Sequence, residues 1–207
     1  MKVTVIGSGN MGSGLAQQLA KAGHAVVVTG RNAAKAQELA RTAGATFKAA
    51  NAADGADVVI LATGYGDALP ALRAAGDLSA KVVVDISNPL TADYMGLTIG
   101  HDTSAAEEIQ KAFPQARVVK AFNTLFAQVL AAGPALGGET IPVYFAGDDA
   151  AAKDAVKALI QSTGFAPVDA GGLKNARYLE PLGGLNVYFG YGAGKGTAIA
   201  PKWIGIQ

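Results

Sequence analysis

A doubly wound α/β domain on a mostly parallel sheet is the fold this sequence predicts, on three observations. Short apolar, β-branched runs alternate with stretches of helical spacing from Val3 onward. The runs are apolar throughout rather than every second residue, as strands covered on both faces require. The first run also ends in a glycine-rich turn that opens directly into a helix.

Val3-Thr4-Val5-Ile6 is the first strand, and Met11 to Ala22, with Leu15, Leu19 and Ala22 at helical spacing, is the first helix. Gly23-His24 ends that helix, Ala25 to Thr29 is a second buried strand, and Asn32 caps a helix from Ala33 to about Ala43. Thr46 to Lys48 is expected as a short third strand. Then follow a strand at Val58 to Ala62, a helix from Asp67 to Ala75 and a strand at Val82 to Ile86. After the Asn88-Pro89 turn comes an irregular stretch to Thr103, a helix from Ser104 to Phe113 and a sixth strand at Val118 to Phe122. Pro142 to Ala146 and Ala166 to Asp169 read as two extra C-terminal edge strands flanking a helix from Ala150 to Thr163. Asn175 to about Tyr191 is a last, glycine-interrupted helix.

With 207 residues and no Pro/Gly/Ser-rich linker, a single compact domain over 1–207 is expected. Half the residues are hydrophobic but only 7% are aromatic, as suits alanine-rich helices laid closely on a sheet. Lys plus Arg number 17 against 16 Asp plus Glu, so no net field favours nucleic acid as a partner. Met1-Lys2 leads straight into the first strand, and no apolar run reaches membrane-spanning length, so a cytoplasmic protein without a membrane partner is expected. Cysteine is absent and only His24 and His101 carry imidazole, which removes thiolate nucleophiles, disulfides and cysteine-ligated metals. No metal site and no side-chain catalytic constellation can be assembled, so redox work falls to bound cofactors.

Gly7-Ser8-Gly9-Asn10-Met11-Gly12 matches the dinucleotide fingerprint of Rossmann-type domains. One glycine allows the tight turn, one lets backbone approach the pyrophosphate, and one lets the helix pack against the strand. The end of the second strand, where an NAD-binding domain carries an acid for the ribose 2′-hydroxyl, reads Thr29-Gly30-Arg31. Arg31 offers a forked donor to a 2′-phosphate and Lys35 a second cation, so NADP(H) is preferred. Ligands of open α/β sheets sit outside the carboxyl ends of the strands. That places Ala62, Thr63, Tyr65 and Leu69, then Asn88 and Pro89, then Asn123 and Ala127 among the candidate cofactor contacts, with Tyr65 on the adenosine side and both asparagines toward the nicotinamide.

Several later blocks accompany the glycine turn: Val118 to Thr124, Ala146-Gly147-Asp148-Asp149, Asp169-Ala170-Gly171, and Asn175-Ala176-Arg177-Tyr178-Leu179-Glu180. In this combination the chain resembles the NADPH:coenzyme F420 oxidoreductase family, whose blocks are shared with the reductase domains of metazoan ferric reductases. The resemblance implies a dimer in which a deazaflavin such as coenzyme F420, or a flavin such as FMN or FAD, stacks on the nicotinamide. It maps phosphate contacts onto Ser8 to Met11, 2′-phosphate contacts onto Gly30, Arg31 and Lys35, and an adenosine contact onto Tyr65. Deazaflavin-using members often carry histidine where Asn123 stands.

The acceptor is expected between the loop from Asn123 to Ala127 and the C-terminal segment, within about residues 125–207. Leu125 and Phe126 would form a flat wall there, Leu185 would contribute from the last helix, and the glycines at 183, 184, 190, 192, 194 and 196 would permit close approach. Leu182, Leu185, Val187, Tyr188, Phe189, Tyr191, Ile199, Trp203 and Ile204 give more apolar surface than one helix buries, and a homodimer is expected to cover it. Arg177 and Glu180 are spaced for a pair on one helix face. The leading function is hydride transfer between NADP(H) and F420 or a flavin. The alternatives are a ferric reductase acting through a bound flavin and a module that senses NADPH without turnover.

Overall fold

The computed structural model describes residues 1–205. Its main sheet has eight strands in the order β10-β9-β6-β5-β4-β1-β2-β3. These strands are β1 (Lys2–Ile6), β2 (Ala25–Thr29), β3 (Thr46–Phe47), β4 (Val58–Leu61), β5 (Val82–Asp85), β6 (Arg117–Ala121), β9 (Pro142–Gly147) and β10 (Ala166–Asp169). The six from β3 to β6 are parallel to one another. β9 pairs antiparallel with β6, with Lys120 opposite Ala146, and β10 pairs parallel with β9, so the last two strands run against the rest. This is the expected mostly parallel sheet with two C-terminal edge strands.

Helices cover both faces. On one side, α1 (Asn10–Lys21), α2 (Ala33–Ala43), α5 (Ala127–Ala132) and α6 (Ala150–Ser162) bury Leu15, Leu19, Leu39, Leu130, Val156 and Leu159 with Val3, Val5, Val28 and Ile60 of the strands. On the other, α3 (Ala68–Ala74), α4 (Ala105–Ala112) and the start of α7 (Ala176–Val187) bury Leu72, Ile109 and Ala176 against Leu61, Val83 and Val118. Asn32, Ser104 and Asp149 cap α2, α4 and α6 by accepting from backbone N–H groups three residues on.

α5 and the small hairpin of β7 (Ala135–Leu136) and β8 (Glu139–Thr140) lie in a stretch where the sequence pattern predicts no element. α5 has only six residues, too few for a helical period to show, and it is held from outside. Gly14 of α1 lets the two helices meet, since a Cβ there would lie 3.2 Å from that of Leu130. Gln18 of α1 also donates to the Leu130 carbonyl. α7 continues as a π-helix over Tyr188–Gly192, so the last helix does reach Tyr191. Among the described residues no helix is long and apolar enough to cross a membrane, and no group of His, Cys, Asp and Glu could hold a metal ion.

Candidate functional site

The three glycines of the first turn do different jobs. Gly7 has φ +123°, and a Cβ on it would lie 2.3 Å from the Ala62 carbonyl oxygen. On Gly12 a Cβ would lie 2.0 Å from the Gly7 oxygen, so these two close the strand against the helix. Around Gly9 a Cβ would meet nothing within 4 Å. Gly9 is also the N-cap of α1 and gives it no side-chain cap, and no acidic residue stands in that first turn. The result is an open hollow floored by glycine, at a helix end with uncapped amides and a favourable dipole for an anion.

The flanks of the hollow come from the neighbouring strands. Thr29 ends β2 buried, and Arg31 and Lys35 follow on the surface; no acidic residue directly follows Thr29 in the chain, and the Arg31 guanidinium meets Asp67 from the turn after β4. Lys35 carries its side chain from the first turn of α2, where its N–H is held by Asn32. On the other flank, Ala62 and Thr63 lead from β4 into the 3₁₀ turn Tyr65–Asp67. Burial, with the charges of Glu108, Glu180 and Asp85 behind it, pushes the Tyr65 phenol up, so Tyr65 stays a protonated donor. Leu69 packs half-buried under this turn.

Beyond β5 and β6 the two asparagines meet. Asn88 Nδ2 donates to the Asn123 carbonyl at 2.8 Å, and Asn123 Nδ2 donates to Asn88 Oδ1 at 2.9 Å and to the Leu179 carbonyl at 2.8 Å. Phe122, a buried non-glycine residue at φ +59°, makes the turn that aims Asn123 at Asn88. Pro89 is buried behind the pair, and Ala127 starts α5 beside it. Ser87 Oγ, Asn123 Oδ1 and Thr124 Oγ1 are buried without a hydrogen-bond partner among the described residues. This leaves acceptor capacity at the strand ends.

Below this shelf lies a charge cluster that the sequence reading missed. Lys120 Nζ, fully buried, bonds Asp85 Oδ2 at 2.7 Å, Glu180 Oε1 at 2.7 Å and the Ser87 carbonyl at 2.5 Å. Asp85 also accepts from the Ser87 N–H, and Glu180 from the N–H groups of Ala105 and Ala106 at the start of α4. Burial pushes the Glu180 carboxyl up, and Lys120 works against that rise. The expected Arg177–Glu180 pair is therefore not formed: Arg177 makes two bonds to Glu107 of α4, while Glu180 turns inward. The signal was present as a lysine inside an apolar strand, which needs a buried partner.

Leu125 and Phe126 are 5% and 7% exposed and belong to the main core rather than to an open wall. Two of the glycines opposite them serve contacts within the protein. A Cβ on Gly183 would lie 2.8 Å from the Asn88 amide, and one on Gly190 would lie 2.5 Å from Phe126 Cζ. Leu185 is 49% exposed and lines an apolar cavity of about 440 Å³ with Leu182, Phe189 and Ile199. His24 bonds the N-terminal amine and Ser162, and His101 lines an open cavity with Lys174 and Tyr178, so neither imidazole joins the hollow.

An open glycine turn between strand and helix on a doubly wound sheet, with cations where the acid would stand, fits the class of NADP-dependent oxidoreductases. Residues 2–89 match the family described as NADP oxidoreductase, coenzyme F420-dependent. The F420-dependent NADP reductase of Methanothermobacter marburgensis is 30% identical over 203 residues, 88% of this chain and 89% of that one. The chain belongs to this family. A crystal structure from Arthrobacter sp. FB24, named as a candidate F420-dependent NADP reductase, superposes with a TM-score of 0.85 at 34% identity over 98% of this chain and 99% of that one. The metalloreductase STEAP3 of Rattus norvegicus is 33% identical over 181 residues; the match covers 87% of this chain but spans 36% of that protein.

Proposed function

We propose that the protein transfers a hydride between NADP(H) and a deazaflavin of the F420 type. The observation that carries this reading is the open face of Gly9 beneath the uncapped start of α1, flanked by Arg31 and Lys35. Ser8 to Met11 would hold the pyrophosphate, Arg31 and Lys35 the 2′-phosphate, and Tyr65 the adenosine. Asn88 and Asn123 would back the carboxamide end as a bonded pair, with Asn123 Oδ1 buried and without a partner among the described residues. Bound NADP(H) supplies the hydride at its nicotinamide ring, and the other product of its loss is the oxidised cofactor. What the chain adds is alignment and exclusion of water, since hydride transfer between two cofactor rings needs these more than a strong acid or base. The acceptor site is assigned to the edge between Asn123 to Ala127 and the α7 segment. Because Leu125 and Phe126 are buried, their backbone and the side chain of Leu185 would make the contact.

Similarity to STEAP3 supports a second reading, reduction of iron through a bound flavin. A homodimer is also proposed, since Tyr94, Tyr178, Leu185, Tyr188 and Tyr191 are all about half exposed or more along one helix and the loop beside it. A cytoplasmic setting is consistent with a cysteine-free chain. The test is NADPH oxidation, followed at its absorbance band, with F420, FMN, FAD and riboflavin offered in parallel, each with and without a ferric chelate. F420 should be reduced fastest. Tight NADPH binding with no oxidation under any condition would refute the reductase reading and favour a sensor.

A further inference from the structure

In the sheet β1 lies between β4 and β2. A bond from the loop after β2 to the turn after β4 must therefore pass over the end of β1, where the glycine hollow begins. Arg31 and Asp67 make that bond: Nη1 donates to Oδ1 at 3.1 Å. With neighbouring strands about 4.8 Å apart, the pair spans roughly 10 Å across the mouth of the hollow. Both side chains are open to solvent, 86% and 55% exposed, so the pair is weakly held and exchanges readily.

We propose that Asp67 is a specificity-determining residue that competes with the nucleotide's 2′-phosphate for the Arg31 guanidinium. This rests on the assignment of Arg31 to the 2′-phosphate. The carboxylate and the phosphate use the same fork of N–H donors, so one displaces the other. A phosphate dianion brings more charge than the carboxylate and gains Lys35 as well, so it wins the exchange. A neutral 2′-hydroxyl gains no charge-assisted bond and leaves the Arg31–Asp67 pair in place. Asp67 therefore holds Arg31 across the hollow, and it reduces NADP(H) affinity while leaving NAD(H) affinity almost untouched.

Calorimetric titration of the full chain with NADPH, NADH, 2′,5′-ADP and 5′-AMP tests this in the parent, Asp67→Asn and Arg31→Ala. Asp67→Asn should tighten NADPH and 2′,5′-ADP by about three- to tenfold and keep NADH and 5′-AMP within about twofold, with the gain shrinking at high salt. Unchanged or weaker NADPH binding overturns the proposal, and so does an equal gain for all four ligands. Arg31→Ala separates the two levels. If it narrows the preference for NADPH while Asp67→Asn does nothing, only the competition is wrong. If it leaves the preference intact, the 2′-phosphate assignment fails and the competition falls with it.

Discussion

Replacing Lys120 by methionine keeps the apolar stem of the side chain, one atom shorter, but removes the charge that three buried groups share. Asp85 would keep the Ser87 N–H and Glu180 the two N–H groups of α4, but neither carboxylate would have a counter-ion and the Ser87 carbonyl would lose its donor. Breaking a buried pair by removing one partner typically destabilises by about 3–5 kcal/mol, and that loss is expected at pH 7. The loss should depend on pH in a definite direction. The Glu180 carboxyl is raised by burial, so its protonated form suits the folded state, and the fold loses stability as pH rises from the ordinary glutamate value toward the raised one. Lys120 opposes that rise, so its removal widens the window, and the difference between parent and variant grows with pH. Urea unfolding at pH 5 and pH 7 measures it, with the deficit smaller at the lower pH. A deficit under about 1 kcal/mol, or one independent of pH, would show that the cluster does not carry the charge described.

Gly9→Val should leave unfolding within about 0.5 kcal/mol of the parent, because its Cβ meets nothing, yet weaken NADPH and NADH together by tenfold or more in calorimetry. Gly183→Ala should push Asn88 aside, reducing stability by about 1–3 kcal/mol and NADPH affinity, while 2′,5′-ADP, which lacks the nicotinamide, binds as before. Light scattering at micromolar concentration should give twice the chain mass, and a monodisperse monomer would remove the dimer.

The strand positions and the glycine turn were legible because their signals are local. Val3 to Ile6 followed by three spaced glycines fixes a strand, a turn and a helix within a dozen neighbours, and the missing acid after Thr29 is read at one position. The shelf was legible only in composition: Asn88 and Asn123 are 35 residues apart, and their mutual bonds depend on the positive φ of Phe122, which no propensity signals for a bulky residue. Leu125 and Phe126 read as an open wall because apolar loop residues have two destinations, ligand or core. Gly190, which admits the Phe126 ring, decides for the core. The inward turn of Glu180 was hidden by Arg177, whose helical spacing offers a local partner while Glu107 and Lys120 lie nearer in space.

The reversal of β9 and β10 decides where the chain's last helix arrives. Had these strands run with the others, β10 would end beside the asparagine shelf, and the helix after it would descend away from that edge. Because they run the other way, the chain after β10 turns back across the sheet, and α7 brings Glu180 to Lys120 and then Gly183 to Asn88. The glycine turn and its two flanks draw on residues up to Asp67, whereas the shelf needs contacts between positions 35 to nearly 100 residues apart. The two ends of the candidate site thus differ in reach: the glycine turn is built from one stretch of chain, and the shelf exists only where three distant segments meet.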